Sequence, residues 1–381
     1  MVTETFPPEV NGVARTLGRM VEGLRNRGHA VRLVRPRQGP SDRPRLESRY
    51  EELLAPGFPL PRYPQLRAGL PIVRTLLRDW SERPPEVVHV ATEGPLGWSA
   101  LHTARKLGLP VVTDFHTNFH AYTAHYGFPW LHRAALAWLR RFHNRADCTL
   151  VPTHELVEEL SALGFERLRV AGRGIDAERF APRHRSPKLR AAWGAGPDTP
   201  VALYVGRLAP EKNLGLALEA FRALRAARPA ARLVIVGDGP LTARFTPPPE
   251  GAVVTGRLDD EVLAVHYASA DLFLYPSVTE TFGNVTLEAM ASGLAVIAFD
   301  YAAARQHIVH GVTGARVPRG EAAAFVRQVV QLGCDLALAR TIGRAARAAV
   351  ARLGWDRAVD ELQAALVEAR ERKDALAEGR A

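Results

Sequence analysis

The chain has 381 residues, enough for two domains with full cores. Hydrophobic content of 47% with 24% charged residues is ordinary for a soluble globular protein, and no apolar run reaches membrane-spanning length. The net charge of +10 raises nucleic acid as a partner, but no helix-turn-helix, zinc module or aromatic sheet platform accompanies it, so none is expected. Cys148 and Cys334 lie far apart in apolar or helical contexts, which points to a reducing cytoplasm without a disulfide framework.

Residues 3–16, TETFPPEVNGVART, open the chain with an Asn11-Gly12 turn leading into a helix. Short apolar runs then alternate with helix-forming stretches. Strands are predicted at 30–34, 87–91, 111–114 and 148–151, and then at 201–205, 233–236, 253–255, 270–275 and 295–298. This alternation predicts an α/β fold with doubly wound parallel sheets. The polar, proline-bearing run 176–186, DAERFAPRHRS, follows a strand-like segment at 168–171 and reads as the linker. Predicted domains are residues 1–178 and 179–354.

Chemistry-bearing residues collect at the ends of predicted strands. Residues 113–122, TDFHTNFHAY, place His116 in a loop just after a strand; the plain alternative is a histidine with no ligand. His120 and His125 lie nearby, but without Cys or a helical H-E-x-x-H arrangement zinc is not expected. Gly172-Arg173-Gly174 lacks the third glycine and the helix of a dinucleotide fingerprint and is read as a turn, so a dehydrogenase is not expected. Residues 201–208, VALYVGRL, end a strand at Gly206, with Arg207 and Lys212 on its carboxyl rim. Only four of the 50 basic residues are lysines, so Lys212 stands out from surface filler. Two fixed cations there suit a diphosphate. Gly237 ends the strand of LVIVGDGP at 233–240, and Gly256-Arg257 ends VVTGR at 253–257.

Residues 275–293, YPSVTETFGNVTLEAMASG, carry the strongest signal. A buried strand at 270–275 ends at Pro276-Ser277; Asn284 is the expected helix N-cap, and Gly293 the glycine that stops the helix. In an open parallel sheet ligands bind outside the carboxyl ends of strands, and a helix N-terminus there favours an anion. Glu280 in the loop and Glu288 on the helix can hold hydroxyl groups of a phosphorylated polyol. For Glu288 alone, a solvated helix face is the plain alternative.

Glu280 and Glu288, with seven residues between them in E-T-F-G-N-V-x-L-E-A-M-A-x-G, resemble the donor-site motif of retaining GT-B glycosyltransferases of family four. Gly206-Arg207-Leu208 with Lys212-Asn213 is similar to that family's G-R-L-x-x-x-K-N element. The resemblance covers roughly residues 3–360. It implies two Rossmann-like domains facing across a cleft, a nucleotide-sugar donor, and no metal or other cofactor. It implies catalytic roles for His116, Glu280, Arg207 and Lys212. Arg207 and Lys212 would hold the diphosphate, Glu280 the transferred sugar, Glu288 the ribose, and His116 would lie near the sugar's 6-hydroxyl. The backbone around Gly12, Gly206, Gly237, Gly256 and Arg257, and that of Phe282, Gly283 and Asn284, would meet the donor. Residues 355–381 would form a last helix crossing back to the first domain. Relatives carry several apolar residues ahead of Asn11-Gly12 as a first central strand, whereas here only Met1 and Val2 stand there. The expectation is a late-annotated start or a truncation that leaves neighbouring strands with unpaired backbone groups.

Within the family, E-T-F-P-P-E-V-N-G-V and F-H-T-N-F resemble most closely GDP-mannose-dependent mannosyltransferases and sulfolipid-synthase-like lipid glycosyltransferases. This implies transfer of a hexose to a lipid or glycolipid. Alternatives are a UDP-sugar-dependent transferase of envelope polysaccharide or glycolipid, a sugar-nucleotide 2-epimerase, and a non-enzymatic peripheral membrane binding protein. Residues 128–145 and 61–83 interleave arginines with aromatic and apolar residues, as an interfacial helix on an anionic membrane would. A core-facing helix with a solvated basic face explains them equally well. The expected location is the cytoplasm, with peripheral association at the inner face of the plasma membrane.

Overall fold

The structure, a computed structural model, describes residues 1–9, 11–60, 63–116 and 129–378, without the side chains of 60, 63–66, 129–132 and 377. The chain divides into two compact units, Met1–Gly174 with Trp355–Ala381, and Ile175–Gly354.

The first unit holds β1 (Val31–Pro36), β2 (Leu46–Glu47), β3 (Tyr50–Ala55), β4 (Gly57–Leu60), β5 (Tyr63–Gly69), β6 (Val88–Val90), β7 (Val111–Asp114), β8 (Cys148–Val151) and β9 (Leu168–Val170). β6 to β9 pair in order, all parallel. β1 pairs in parallel with β3, which carries the short antiparallel edge β2. Val111 and Val112 are fully buried, as expected of strands covered on both faces.

Val2 changes the picture drawn from sequence. It bridges Val34 of β1 and Val90 of β6, both in parallel. The amide of Val2 donates to the His89 carbonyl at 2.8 Å, and that of Thr3 to Val34 at 3.0 Å. The amides of Val34 and Ala91 return bonds to the carbonyls of Met1 and Val2, each at 2.8 Å. Three residues therefore act as a short central strand, and the expected unpaired backbone groups are paired at these positions.

Residues 61–83 are also corrected, because they do not form one interfacial helix. The antiparallel hairpin β4–β5 ends at Gly69, and only Val73–Glu82 is helical. Prolines are tolerated in such an isolated two-stranded edge, so their presence hid it. The helix Trp355–Glu378 packs on the helix Gly12–Asn26, where Arg27 bonds Asp360 at 2.6 Å. Gly23 allows the approach: a β-carbon there would lie 2.5 Å from Val359.

The second unit is a six-stranded parallel sheet of β10 (Val201–Val205), β11 (Arg232–Val236), β12 (Ala252–Gly256), β13 (Leu272–Tyr275), β14 (Ala295–Phe299) and β15 (Ala315–Val317). Their spatial order is β12-β11-β10-β13-β14-β15. The winding reverses between β10 and β13, which pair at Ala202–Leu272 and Leu203–Phe273. Such a reversal opens a crevice at the carboxyl ends of the two strands.

Asp271, at the entry to β13, ties the start of this unit to its sheet. It accepts from the Val201 amide at 3.0 Å, Arg185 at 2.7 Å and Arg190 at 3.1 Å. Arg190 is buried and also donates to the carbonyls of Ser269, Gly196 and Thr199. Burial pulls its pKa below the usual arginine value, and Asp271 opposes that.

Candidate functional site

The reversal of winding brings two sequence motifs to one rim. After β10 the chain makes one tight turn of helix, Pro210–Lys212, and Lys212 is almost fully buried. Its ammonium contacts Glu280 Oε1, which lies in the loop after β13. The same oxygen accepts from the Ser277 hydroxyl at 2.8 Å and from the Tyr275 hydroxyl. Burial and the neighbouring Glu280 push the Tyr275 phenol well above its usual pKa, so it stays a donor. Arg207 stands on the same loop, 3.9 Å from Glu211 and partly exposed. Gly206 follows β10 and Gly237 follows β11 in close contact. A β-carbon on Gly237, whose φ is +134°, would lie 2.0 Å from the Gly206 carbonyl oxygen. Gly256 ends β12, and Arg257 beyond it is exposed.

The helix Asn284–Ala291 begins at the residue expected to cap it, one position earlier than the sequence suggested. Gly283 is the N-cap, with φ 88° and ψ 62°, and Asn284 is the first helical residue. A left-handed cap requires a residue without a β-carbon penalty, so glycine replaces side-chain capping here. Phe282 is buried, with its ring edge-on to His307 at 6.0 Å and its carbonyl accepting from the Ala303 amide at 2.9 Å. The Thr286 amide closes back on the Gly283 carbonyl at 2.9 Å, and a helix N-terminus of this kind favours an anion. Glu288, one turn along, is only 7% exposed and accepts from the Tyr267 hydroxyl at 2.9 Å. The solvated-face reading of Glu288 is therefore excluded. Gly293 ends the helix in the left-handed region at φ +79°.

In the first unit, Gly12 is the exposed first residue of its helix, and the Asn11 side chain caps the Ala14 amide at 2.8 Å. His116 sits two residues past β7 and is 7% exposed. Its Nε2 lies 2.9 Å from Asp114 Oδ2, and Arg173 Nη2 lies 2.8 Å from its Nδ1. His89 Nε2 is 3.1 Å from the same Asp114 oxygen. His120 and His125 lie outside the described residues. Among the described residues no group of three or more His, Cys, Asp or Glu is arranged to hold a metal ion.

Sequence reasoning missed three partners. Tyr267 was not singled out, Arg173 was read as part of a turn, and Glu4 entered only as part of the E-T-F-P-P-E-V-N-G-V motif, with no role of its own. Glu4 accepts the Leu96 amide at 2.8 Å and so caps the helix Pro95–Lys106. All three meet partners distant in sequence, which no local pattern announces.

Comparison with known proteins decides the family. A GDP-mannose-dependent alpha-mannosyltransferase of Mycobacterium tuberculosis is 38% identical over 375 residues, covering 95% of this chain and 94% of that protein. The chain belongs to the family-four glycosyltransferases. Residues 10–179 match the family described as Glycosyltransferase Family 4, and residues 199–335 match Glycosyl transferases group 1. The sulfoquinovosyl transferase SQD2 of Arabidopsis thaliana is 33% identical, covering 80% of this chain and 61% of that protein. Among solved structures, sucrose-phosphate synthase of Thermosynechococcus elongatus superposes with a TM-score of 0.77 at 20% identity, covering 96% of this chain and 95% of that one. Anabaena HepE in complex with UDP and glucose gives 0.72 at 19% identity, covering 96% and 98%. The fold of this glycosyltransferase is GT-B, two Rossmann-like units.

Proposed function

We propose that this glycosyltransferase moves mannose from GDP-mannose to a lipid or glycolipid acceptor, with retention of configuration and without a metal ion. One observation carries the reading. The buried Lys212 lies on Glu280 at the reversal of winding, in a chain 38% identical over most of its length to a relative named for GDP-mannose. Arg207 and Lys212 neutralise the departing diphosphate, aided by the first-turn amides at Asn284. Gly206, Gly237 and Gly256 let the backbone approach the nucleotide, with Arg257 beside it, and Gly12 does the same at the phosphate. Glu280 and the backbone of Phe282 and Gly283 hold the transferred sugar, Glu288 holds the ribose, and His116 bonds the sugar. Lys212 then divides its three N–H donors between phosphate and Glu280, so donor binding replaces only part of the existing contact.

A thermal-shift panel of GDP-mannose, UDP-glucose, UDP-galactose and ADP-glucose tests the donor. GDP-mannose is expected to raise Tm most, since a ligand at 100 times its Kd adds about 2.7 kcal/mol. Glu288→Ala is expected to remove the shift for every donor. A panel in which no nucleotide sugar raises Tm would overturn the reading.

Peripheral membrane docking on the cytoplasmic side belongs to the same proposal. In the helix Pro129–His143, Leu139 and Phe142 point into the core, while Arg133, Arg140, Arg141 and Trp138 are exposed. Residues 128, 130 and 131 lie outside the described side chains, as do Pro61 and Arg62. In the helix Val73–Glu82, Leu76 and Trp80 face inward and Arg74 and Arg78 outward. Charge reversal of Arg140 and Arg141 is expected to weaken co-sedimentation with phosphatidylserine vesicles by about tenfold or more, at ~1 kcal/mol per basic residue. Donor binding should be unchanged; equal vesicle binding by the variant would remove the idea.

A further inference from the structure

We propose that Arg173 and Asp114 are positioning residues that hold His116 as a neutral imidazole with its proton on Nε2, leaving Nδ1 only a hydrogen-bond acceptor. The argument starts from donor chemistry. A guanidinium has five N–H donors and no acceptor. With Arg173 Nη2 at 2.8 Å, His116 Nδ1 must offer its lone pair. The ring's remaining proton then lies on Nε2, 2.9 Å from Asp114 Oδ2. The opposite tautomer would set N–H against N–H at Arg173 and lone pair against carboxylate at Asp114. An imidazolium would repeat the clash at Arg173.

The surroundings reinforce this from several elements. Asp114 ends β7, and His89 on β6 faces the same carboxylate oxygen at 3.1 Å. Glu93, beyond β6, lies 3.4 Å from His143 Nε2 on the helix Pro129–His143. Arg173 follows β9, and behind it Glu361 of the C-terminal helix accepts the Gly172 amide at 2.6 Å. Burial lowers the His116 pKa below its usual value; Asp114 and Glu93 oppose this and Arg173 adds to it. Burial works against ionisation of Asp114, yet His89 and His116 outweigh it and hold the carboxyl well below its usual range. The folded state therefore refuses a proton at His116 that the unfolded chain accepts near the ordinary histidine value. Through His116, stability is complete above that value and falls as pH drops toward the lowered one.

Resting on the reading that His116 meets the transferred sugar, the lock gives it one role. A sugar hydroxyl donates its hydrogen to Nδ1, in the place Arg173 now takes, and His116 supplies no proton to the reaction. The sequence-based reading of residues 172–174 as a plain turn missed this contact.

Long-range proton–nitrogen NMR of the full chain, with histidine nitrogens labelled and His116 assigned through His116→Gln, reads the tautomer without any substrate. The wild-type signal should show an unprotonated Nδ1 and a protonated Nε2, with any titration lying below the ordinary histidine value. In Arg173→Met the titration should move up, because Asp114 and Glu93 then act without the opposing cation. Arg173→Gln keeps a donor for Nδ1 and should keep the wild-type tautomer. In transfer assays Arg173→Met should gain an acid limb, absent from wild type, in kcat/KM, which reports the free enzyme. A protonated Nδ1 in wild type, or the same titration in wild type and Arg173→Met, would overturn the lock. The NMR result stands whether or not mannose is transferred, so the lock and the proposed activity fail separately.

Discussion

Glu280→Gln is expected to lower kcat by roughly 100-fold or more, the scale on which a single preorganised electrostatic contact acts in a transition state. Donor affinity should hold or rise. The wild-type carboxylate engages Lys212, Tyr275 and Ser277 through one oxygen, so it is fixed in place before any substrate arrives. Glutamine keeps the shape and an acceptor oxygen but removes the charge, which releases Lys212 toward the donor's phosphates. Steady-state transfer together with calorimetric donor binding separates the two effects. A kcat within about threefold of wild type would show that Glu280 serves only as a structural partner of Lys212.

Asp271→Ala is expected to destabilise the second unit by about 3–5 kcal/mol, the usual cost of removing one partner from a buried ion pair. Arg190 would keep its three carbonyl acceptors but lose its counter-charge, and the Val201 amide would lose its acceptor. Calorimetric unfolding should show one transition moving down by on the order of 10 °C. Combining Asp271→Ala with Arg190→Met removes the stranded charge and should recover much of the loss. If Asp271→Ala alone leaves both transitions in place, the network does not hold the start of this unit to its sheet.

How far the sequence could be read depended on the kind of signal. Residues 111–114, 148–151 and 201–205 form strands at the expected bounds, because a strand buried on both faces is a short, mostly apolar and β-branched run between turn residues. That Lys212 and Glu280 reach the same end of the sheet was anticipated, since both follow parallel strands; their direct contact was not. The edge elements were harder. β3, Tyr-Glu-Glu-Leu-Leu-Ala, sets two adjacent glutamates before its short apolar end, and β4–β5 carries prolines, so neither looked like a strand. The cap at Gly283 was missed because Asn284 is the better side-chain cap, while the backbone enters this helix through a left-handed residue.

The amino-acid order alone settled the alternation of strand and helix and carried the motifs that resemble the family, and it placed Arg207, Lys212, Glu280 and Glu288 on loops and helix beside strand ends. Those are local matters, decided by periodicity and by glycines and prolines that punctuate it. Tertiary structure alone decided that Val2 completes a central strand, that Glu288 is buried against Tyr267, and that Arg173 faces His116. Each of these pairs residues separated by 21 to 88 positions, and contact at such distance is set by how strands stack and helices pack.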